Sequence, residues 1–188
     1  MKLLVSPFRN NEIKKDMIKK IELIWNIVYY FVCNADYRVH LLFNKINPFL
    51  LIHKLPFQKR IYERKGINIF EDIDNSFKDP KYGLSSIRAG GIMFGLSIFI
   101  SVFIFCILTS LNKKYLPDAF FFILPVLFGV FTYCLLFYKD KYLTYFKIFE
   151  TKTRIWKKKW SWISFAIIML IILLLILGVK IMTYSIHH

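Results

Sequence analysis

The sequence predicts an all-α integral membrane protein with three transmembrane helices, preceded by one or two interfacial amphipathic helices. Three stretches of about 20 apolar, uncharged residues carry this prediction: 90–111, 119–138 and 160–179. In a bilayer core every backbone N–H and C=O must be paired within its own segment, so such stretches are typical of membrane-spanning helices. The second observation is that lysine and arginine lie almost entirely outside these stretches.

Composition supports the same class. The 188 residues are 56% hydrophobic and 19% aromatic, yet the net charge is +15. Hydrophobicity and positive charge on this scale rarely coexist in a soluble domain, and their segregation along the chain is typical of a membrane protein. Alanine and glutamine are scarce whereas lysine, isoleucine and phenylalanine abound. We interpret this bias as AT-rich coding and expect a bacterial inner membrane or an organelle inner membrane.

Residues 1–86 are predicted to form a cytoplasmic and interfacial region that begins with an amphipathic helix over about 12–33. Its apolar residues recur at helical spacing, opposite a polar face that includes Lys15 and Lys19. The apolar half of this helix is too short to span a bilayer. It is expected to lie in the membrane interface, and the alternative is a helix packed on the protein's own spans. The apolar positions are Ile13, Met17, Ile21, Ile24, Val28 and Phe31.

The segment over about 39–57 is apolar but is interrupted by Pro48 and Pro56. Because proline breaks a helix interior, this segment is predicted to be a second short interfacial helix with a turn. Residues 59–66 and 70–82 are predicted to be a polar connection containing one short helix that ends near Pro80.

The distribution of positive charge predicts the orientation of the spans. Of the 27 lysines and arginines, 16 precede the first span and eight lie in the basic loop 139–159. The positive-inside rule therefore places the N-terminus and this loop in the cytoplasm, or in the matrix of an organelle. The transmembrane region is 87–183, and the tail 184–188 is expected outside. The predicted interface anchors are Trp25, Trp156, Trp160 and Trp162.

The first span contains small residues that predict a helix-packing interface: Gly91, Gly95, Ser97 and Ser101. Glycines four residues apart let another helix approach closely. The alternative is that the glycines only ease the start of the helix. A water-facing wall formed by Ser97, Ser101 and Thr109 would instead predict a pore.

Basic clusters are predicted to dock anionic lipid or a protein partner on the cytoplasmic face. A cation near an anionic membrane surface contributes about 1 kcal/mol to binding. Aromatic residues interleave with these cations, but interfacial anchoring explains them, so no nucleic-acid partner is expected. The residues assigned to docking are Lys15, Lys19, Lys59, Arg60, Lys157, Lys158 and Lys159.

No catalytic, cofactor-binding or metal-binding residue is predicted. A calcium loop started at Asp72 fails because Phe77 stands where glycine is needed and Gly83 where glutamate is needed. His40 and His53 have no partner pattern for metal binding. We therefore expect a non-catalytic membrane subunit that acts through assembly with other membrane subunits or with itself. The alternative is a small homo-oligomeric pore or a membrane-perturbing effector.

Overall fold

The computed structural model describes residues 7–53, 55–112 and 117–187. Of these residues, 91% are helical and none forms a strand, which confirms the predicted all-α class. Their order is α1 (Pro7–Ile46), α2 (Pro48–His53), α3 (Pro56–Lys65), α4 (Ile69–Lys78), α5 (Leu84–Asn112), α6 (Asp118–Leu136), a 3₁₀ turn (Tyr138–Asp140), α7 (Lys141–Glu150) and α8 (Arg154–His187).

The chain divides into two compact units. The long-helix unit contains the residues up to Tyr30 and from Phe94 onward, and the short-helix unit contains Phe31–Met93. Helices α1 and α5 each contribute residues to both units, because the boundaries fall within them.

Helix α1 is longer than the predicted helix over 12–33, since it continues to Ile46. No glycine or proline lies between Pro7 and Pro48, so nothing in the backbone ends the helix earlier. Helix α2 begins directly at Pro48, inside the predicted segment 39–57.

Two short helices, α3 and α4, occupy the region where the sequence predicted one. Pro56 begins α3, and Gly66 ends it in the left-handed conformation with φ of 65°. Asn68 then caps α4, because its side chain accepts a hydrogen bond from the backbone N–H of Glu71. The lysine- and arginine-rich sequence of α3 concealed the helix, since it lacks a long apolar stripe.

Within the described residues, three helical segments are long and apolar enough to cross a membrane. They cover Leu84–Leu111, Ala119–Glu150 and Arg154–Ser185, with mean hydropathy of 2.6, 2.4 and 3.0 over their most apolar windows. The three predicted spans all lie within these ranges. Positive φ angles at Lys139 and Asp140 separate α6 from α7. The predicted basic loop 139–159 therefore contains a helix, and α8 extends into the predicted tail 184–188.

Ring and side-chain contacts give the directions of the three long helices. Phe94 stacks on Phe137 while Phe105 meets Phe121, so α5 and α6 run antiparallel. Gly178 lies beside Phe103, and the hydroxyl of Ser185 donates to the carbonyl of Ser110 at 3.1 Å. Helices α5 and α8 therefore run parallel, which is the alternation that three successive crossings of one membrane require.

Candidate functional site

The contact between α5 and α6 is centred on two buried hydroxyl groups. Ser97 on α5 and Thr132 on α6 form a hydrogen bond between their side chains, and both residues are almost fully buried. Such interhelical hydrogen bonds, together with small side chains, are typical of helices packed in a membrane.

The contact between α5 and α8 depends on Gly178. A Cβ added at this glycine would lie 2.8 Å from Cδ2 of Phe103 and 3.4 Å from Cβ of Cys106. Only a residue without a side chain therefore lets α8 approach α5 this closely. Sequence reasoning missed Gly178 because it has no second glycine four residues away.

The predicted interface of Gly91, Gly95, Ser97 and Ser101 lies on more than one side of α5. Residues two apart in an α-helix are about 200° apart, so Gly95 and Ser97 point in nearly opposite directions. Ser97 and Ser101 are buried in the long-helix unit. By contrast, a Cβ at Gly91 or Gly95 would meet no atom of the described residues in its own unit within 4 Å. The glycines thus leave an open face on α5.

The three residues proposed to line a pore are all buried within the chain. Ser97, Ser101 and Thr109 are each at most 1% exposed. The hydroxyl of Ser101 donates to the carbonyl of Ile98 at 2.7 Å, as hydroxyls in membrane helices often do. In this structure the three residues belong to the packed interior and not to an open wall.

Large apolar side chains cover the outward sides of α6 and α8. At most 28% of the most apolar 18-residue window of each candidate span is buried. A soluble monomer rarely exposes one contiguous apolar patch beyond a few hundred Å². The exposed side chains include Phe122, Ile123, Val126, Leu127 and Val130 on α6, and Phe165, Met169, Leu170, Leu173 and Leu177 on α8.

An aromatic cluster joins α1 to α6 and α7. Tyr29 has edge contacts with Phe137 and Tyr142, with ring centroids 5.6 Å apart in both pairs. Tyr30 has edge contacts with Phe146 and Phe149 at 5.2 and 5.5 Å. Each such aromatic pair contributes about 0.5–1.5 kcal/mol beyond the burial of its area. Part of α1 is therefore packed on the protein's own helices, which was the alternative for this segment.

Two polar side chains of α1 flank this cluster. The Glu22 carboxylate accepts hydrogen bonds from Lys141 Nζ at 2.8 Å and from Tyr145 OH at 3.2 Å. Asn26 is fully buried and donates from Nδ2 to the Leu135 carbonyl at 3.1 Å, in the last turn of α6. Carbonyls in that turn lack an intrahelical donor, so Asn26 satisfies one of them. Helical spacing in the sequence places Glu22 and Asn26 opposite the apolar positions of α1 but does not identify these partners.

The predicted docking cations occupy exposed positions in both units. Lys15, Lys19, Lys158 and Lys159 are exposed in the long-helix unit, and Lys59 and Arg60 are exposed in the short-helix unit. Lys157 differs, because its Nζ donates to the Glu150 carbonyl at the end of α7, at 2.8 Å. A cation at a helix C-terminus also interacts favourably with the helix dipole.

The predicted tryptophan anchors differ in their environments. Trp156 stacks on Phe149 and has a tilted contact with Trp160, with ring centroids 5.5 and 5.9 Å away. Trp162 is exposed and has an edge contact with Phe165. Trp25 is half-buried, and its Nε1 has no hydrogen-bond partner among the described residues.

The short-helix unit contains a buried histidine. The His40 ring stacks on Phe77, and its Nε2 lies 2.8 Å from the Asn44 amide nitrogen. Burial lowers the pKa of His40, because it disfavours the charged imidazolium; Asp74 opposes this effect and Arg88 adds to it. The fold thus favours the neutral form of His40.

Two further polar contacts lie around His40. Arg88 Nη1 is 3.8 Å from Asp36 Oδ1, and its guanidinium lies over the Phe77 ring. Tyr37 OH donates to Asp74 Oδ1 at 2.6 Å. This hydrogen bond to the Asp74 carboxylate raises the pKa of Tyr37 to about 12, with burial and the carboxylate charge adding to the effect.

No group of three His, Cys, Asp or Glu residues able to hold a metal ion occurs in the described ranges 7–53, 55–112 and 117–187. Comparison with protein-family models, with curated proteins and with solved structures finds no match to this chain.

Proposed function

We propose that this chain is a multi-pass membrane protein without catalytic activity, which acts as a subunit assembled with other membrane subunits or with copies of itself. The observation that carries the proposal is the outward apolar surface of α6 and α8, set against an interior that contains hydroxyl groups. Hydrocarbon is the solvent that suits such a surface, because it carries no cost for exposed leucine, isoleucine or phenylalanine.

The arrangement of charge supports an orientation with the basic end in the cytoplasm. Helices α5 and α8 run parallel, and α6 runs antiparallel to both. The connection between α6 and α8 therefore lies at the end of α5 nearest Phe94. This connection contains eight of the 27 lysines and arginines. By the positive-inside rule these residues remain on the cytoplasmic or matrix side.

The first part of α1 supports an interfacial position for this segment. Met17, Ile21 and Ile24 are exposed and recur on one side of the helix, while Lys15 and Lys19 lie on the other. A helix with this pattern buries its apolar side at the headgroup boundary of a membrane. The polar contacts of Glu22 and Asn26 then hold the helix against α6 and α7.

The open glycine face of α5 supports assembly. Gly91 and Gly95 admit a close helix neighbour, and no described residue of their own units occupies the position of a Cβ at either one. A helix from another subunit or from a second copy would gain van der Waals contact there. This is the face we propose for assembly.

Crosslinking in native membranes, followed by mass measurement in mild detergent, tests assembly. We expect a species larger than the 22.6 kDa monomer. Gly95→Leu should shift the mass towards the monomer, because the leucine side chain separates the two helices. The matched control is Ala166→Leu, a small-to-large change at an exposed position on α8. A monomer without partners in both measurements would contradict assembly.

A further inference from the structure

The short-helix unit contains an open cleft of about 560 Å³ between the end of α2, α3 and the start of α4. Its volume falls within the range of small-molecule binding sites. The cleft combines polar and apolar side chains, among them His53, Lys59, Tyr62, Glu63, Ile67 and Phe70.

The polar side chains of the cleft present one loosely held cation. Lys59 Nζ lies 3.8 Å from Glu63 Oε1, and the two side chains are 71% and 63% exposed. An exposed pair of this kind contributes little energy, so the ammonium group is readily drawn to another anion. Nearby, His53 Nδ1 and Tyr62 OH form a hydrogen bond of 2.7 Å.

The charge of α3 favours a negatively charged ligand. This ten-residue helix contains Lys59, Arg60, Arg64 and Lys65 against a single acidic residue, Glu63. The resulting positive potential raises the local concentration of anions. The ligand should also have an apolar part, because Ile67 and Phe70 in the wall of the cleft are both exposed.

We propose that this cleft binds the headgroup of an anionic phospholipid. Lys59 pairs with the phosphate, the Tyr62–His53 pair hydrogen-bonds to it, and Ile67 and Phe70 contact the upper part of the acyl chains. The inference rests on the proposed function, because a membrane protein has such a lipid beside it. It deepens that function by naming the ligand and the site.

Binding of a short-chain lipid to the full-length protein in neutral detergent tests this inference. Dioctanoyl phosphatidic acid should bind saturably in native mass spectrometry and should raise the thermal unfolding temperature. Dioctanoyl phosphatidylcholine, which carries no net charge, should bind at least tenfold more weakly. Inorganic phosphate should also bind more weakly, because it lacks acyl chains. Equal affinity for inorganic phosphate would overturn the assignment to lipid.

Three variants locate the site. Lys59→Gln should weaken the binding of phosphatidic acid about fivefold, the effect of one cation near an anionic lipid. Glu63→Gln should strengthen it, because a competing carboxylate is removed. Lys65→Gln, which makes the same charge change on α3 outside the lining of the cleft, is the matched control and should change the affinity less than twofold. Equal losses in Lys59→Gln and Lys65→Gln would overturn the site.

Failure of this inference can be distinguished from failure of the proposed function. A chain that stays in carbonate-washed membranes and assembles, but binds no phosphatidic acid saturably, overturns the lipid site alone. A chain recovered in the soluble fraction overturns the proposed function and the inference together.

Discussion

The inward sides of the long helices mix apolar and polar residues, whereas their outward sides are apolar. Inside the long-helix unit, the buried residues include five serines and threonines among apolar neighbours: Ser97, Ser101, Thr109, Thr132 and Ser164. Outside, Phe122 and Val126 on α6 are 68% and 64% exposed. A water-soluble helical bundle also has an apolar interior, but its outward side is polar. The apolar outward residues of this chain are therefore consistent with a multi-pass membrane protein.

The largest expected effect comes from placing charge on the outward side of α8. Leu173→Arg combined with Leu177→Arg introduces two cations at exposed positions one turn apart. If this side faces hydrocarbon, each arginine costs about 2.5–3.5 kcal/mol at the centre of a span. The fraction of protein that resists carbonate extraction should therefore fall severalfold.

The matched control for this pair is the double alanine variant, which should remain in the membrane fraction. A double arginine variant that is folded and more soluble would show that the outward side of α8 faces water.

The inward side can be tested at Gly178. Gly178→Ala places a Cβ against Phe103, and overpacking of this kind typically costs about 1–3 kcal/mol. Gly95→Ala, the matched control, meets no such contact and should be neutral or stabilising by up to about 1 kcal/mol, because alanine favours helix. Denaturant unfolding in detergent measures both. Equal stability of the two variants would contradict the close approach of α8 to α5.

These two glycine positions show what the sequence could predict about packing. The predicted class and the three apolar ranges agree with the structure, because length and apolar composition alone determine them. The close glycine contact was not predictable, because Gly178 lacks a motif and depends on where Phe103 happens to meet α8. The spacing of Gly91 and Gly95, four residues apart, shows that another helix can approach closely there but does not identify that helix.

The aromatic cluster and the polar contacts of α1 show a second limit. Tyr29 and Tyr30 lie in the apolar half of the predicted helix over 12–33, but their ring partners lie more than 100 residues away along the chain. Helical spacing gives the side of a helix on which a residue lies. It does not say which distant element covers that side, so Asn26 and Leu135 could not be paired in advance.

A smaller effect is expected from the hydrogen bond between Ser97 and Thr132. Interhelical hydrogen bonds in membrane proteins contribute about 0.6 kcal/mol on average. A double-mutant cycle of Ser97→Ala and Thr132→Val should give a coupling energy of about that size. Ser101→Ala with Thr132→Val is the control pair, because Ser101 donates to its own helix. Coupling of equal size in both cycles would show that the Ser97–Thr132 contact has no specific role.

The smallest effect concerns the short-helix unit and pH. Because burial holds the pKa of His40 below its usual value of 6.5, the stability that depends on neutral His40 is present above pH 6.5 and is lost as the pH falls through the lowered pKa. Hydrogen exchange of α4, corrected for intrinsic rates, should therefore be faster at pH 5 than at pH 7.5. His40→Gln should remove most of this difference. The same pH dependence in the variant would assign it to another group.

The outward sides of α6 and α8 are proposed to contact hydrocarbon, and the proposed membrane location depends on this contact. Spin labels attached at Phe122→Cys, Val126→Cys, Phe165→Cys and Leu173→Cys, in a chain whose native cysteines are replaced, report this contact directly in proteoliposomes. We predict frequent collisions with oxygen and few with a polar nickel complex at all four positions. Frequent collisions with the nickel complex at these positions would show that water covers them and would contradict the account.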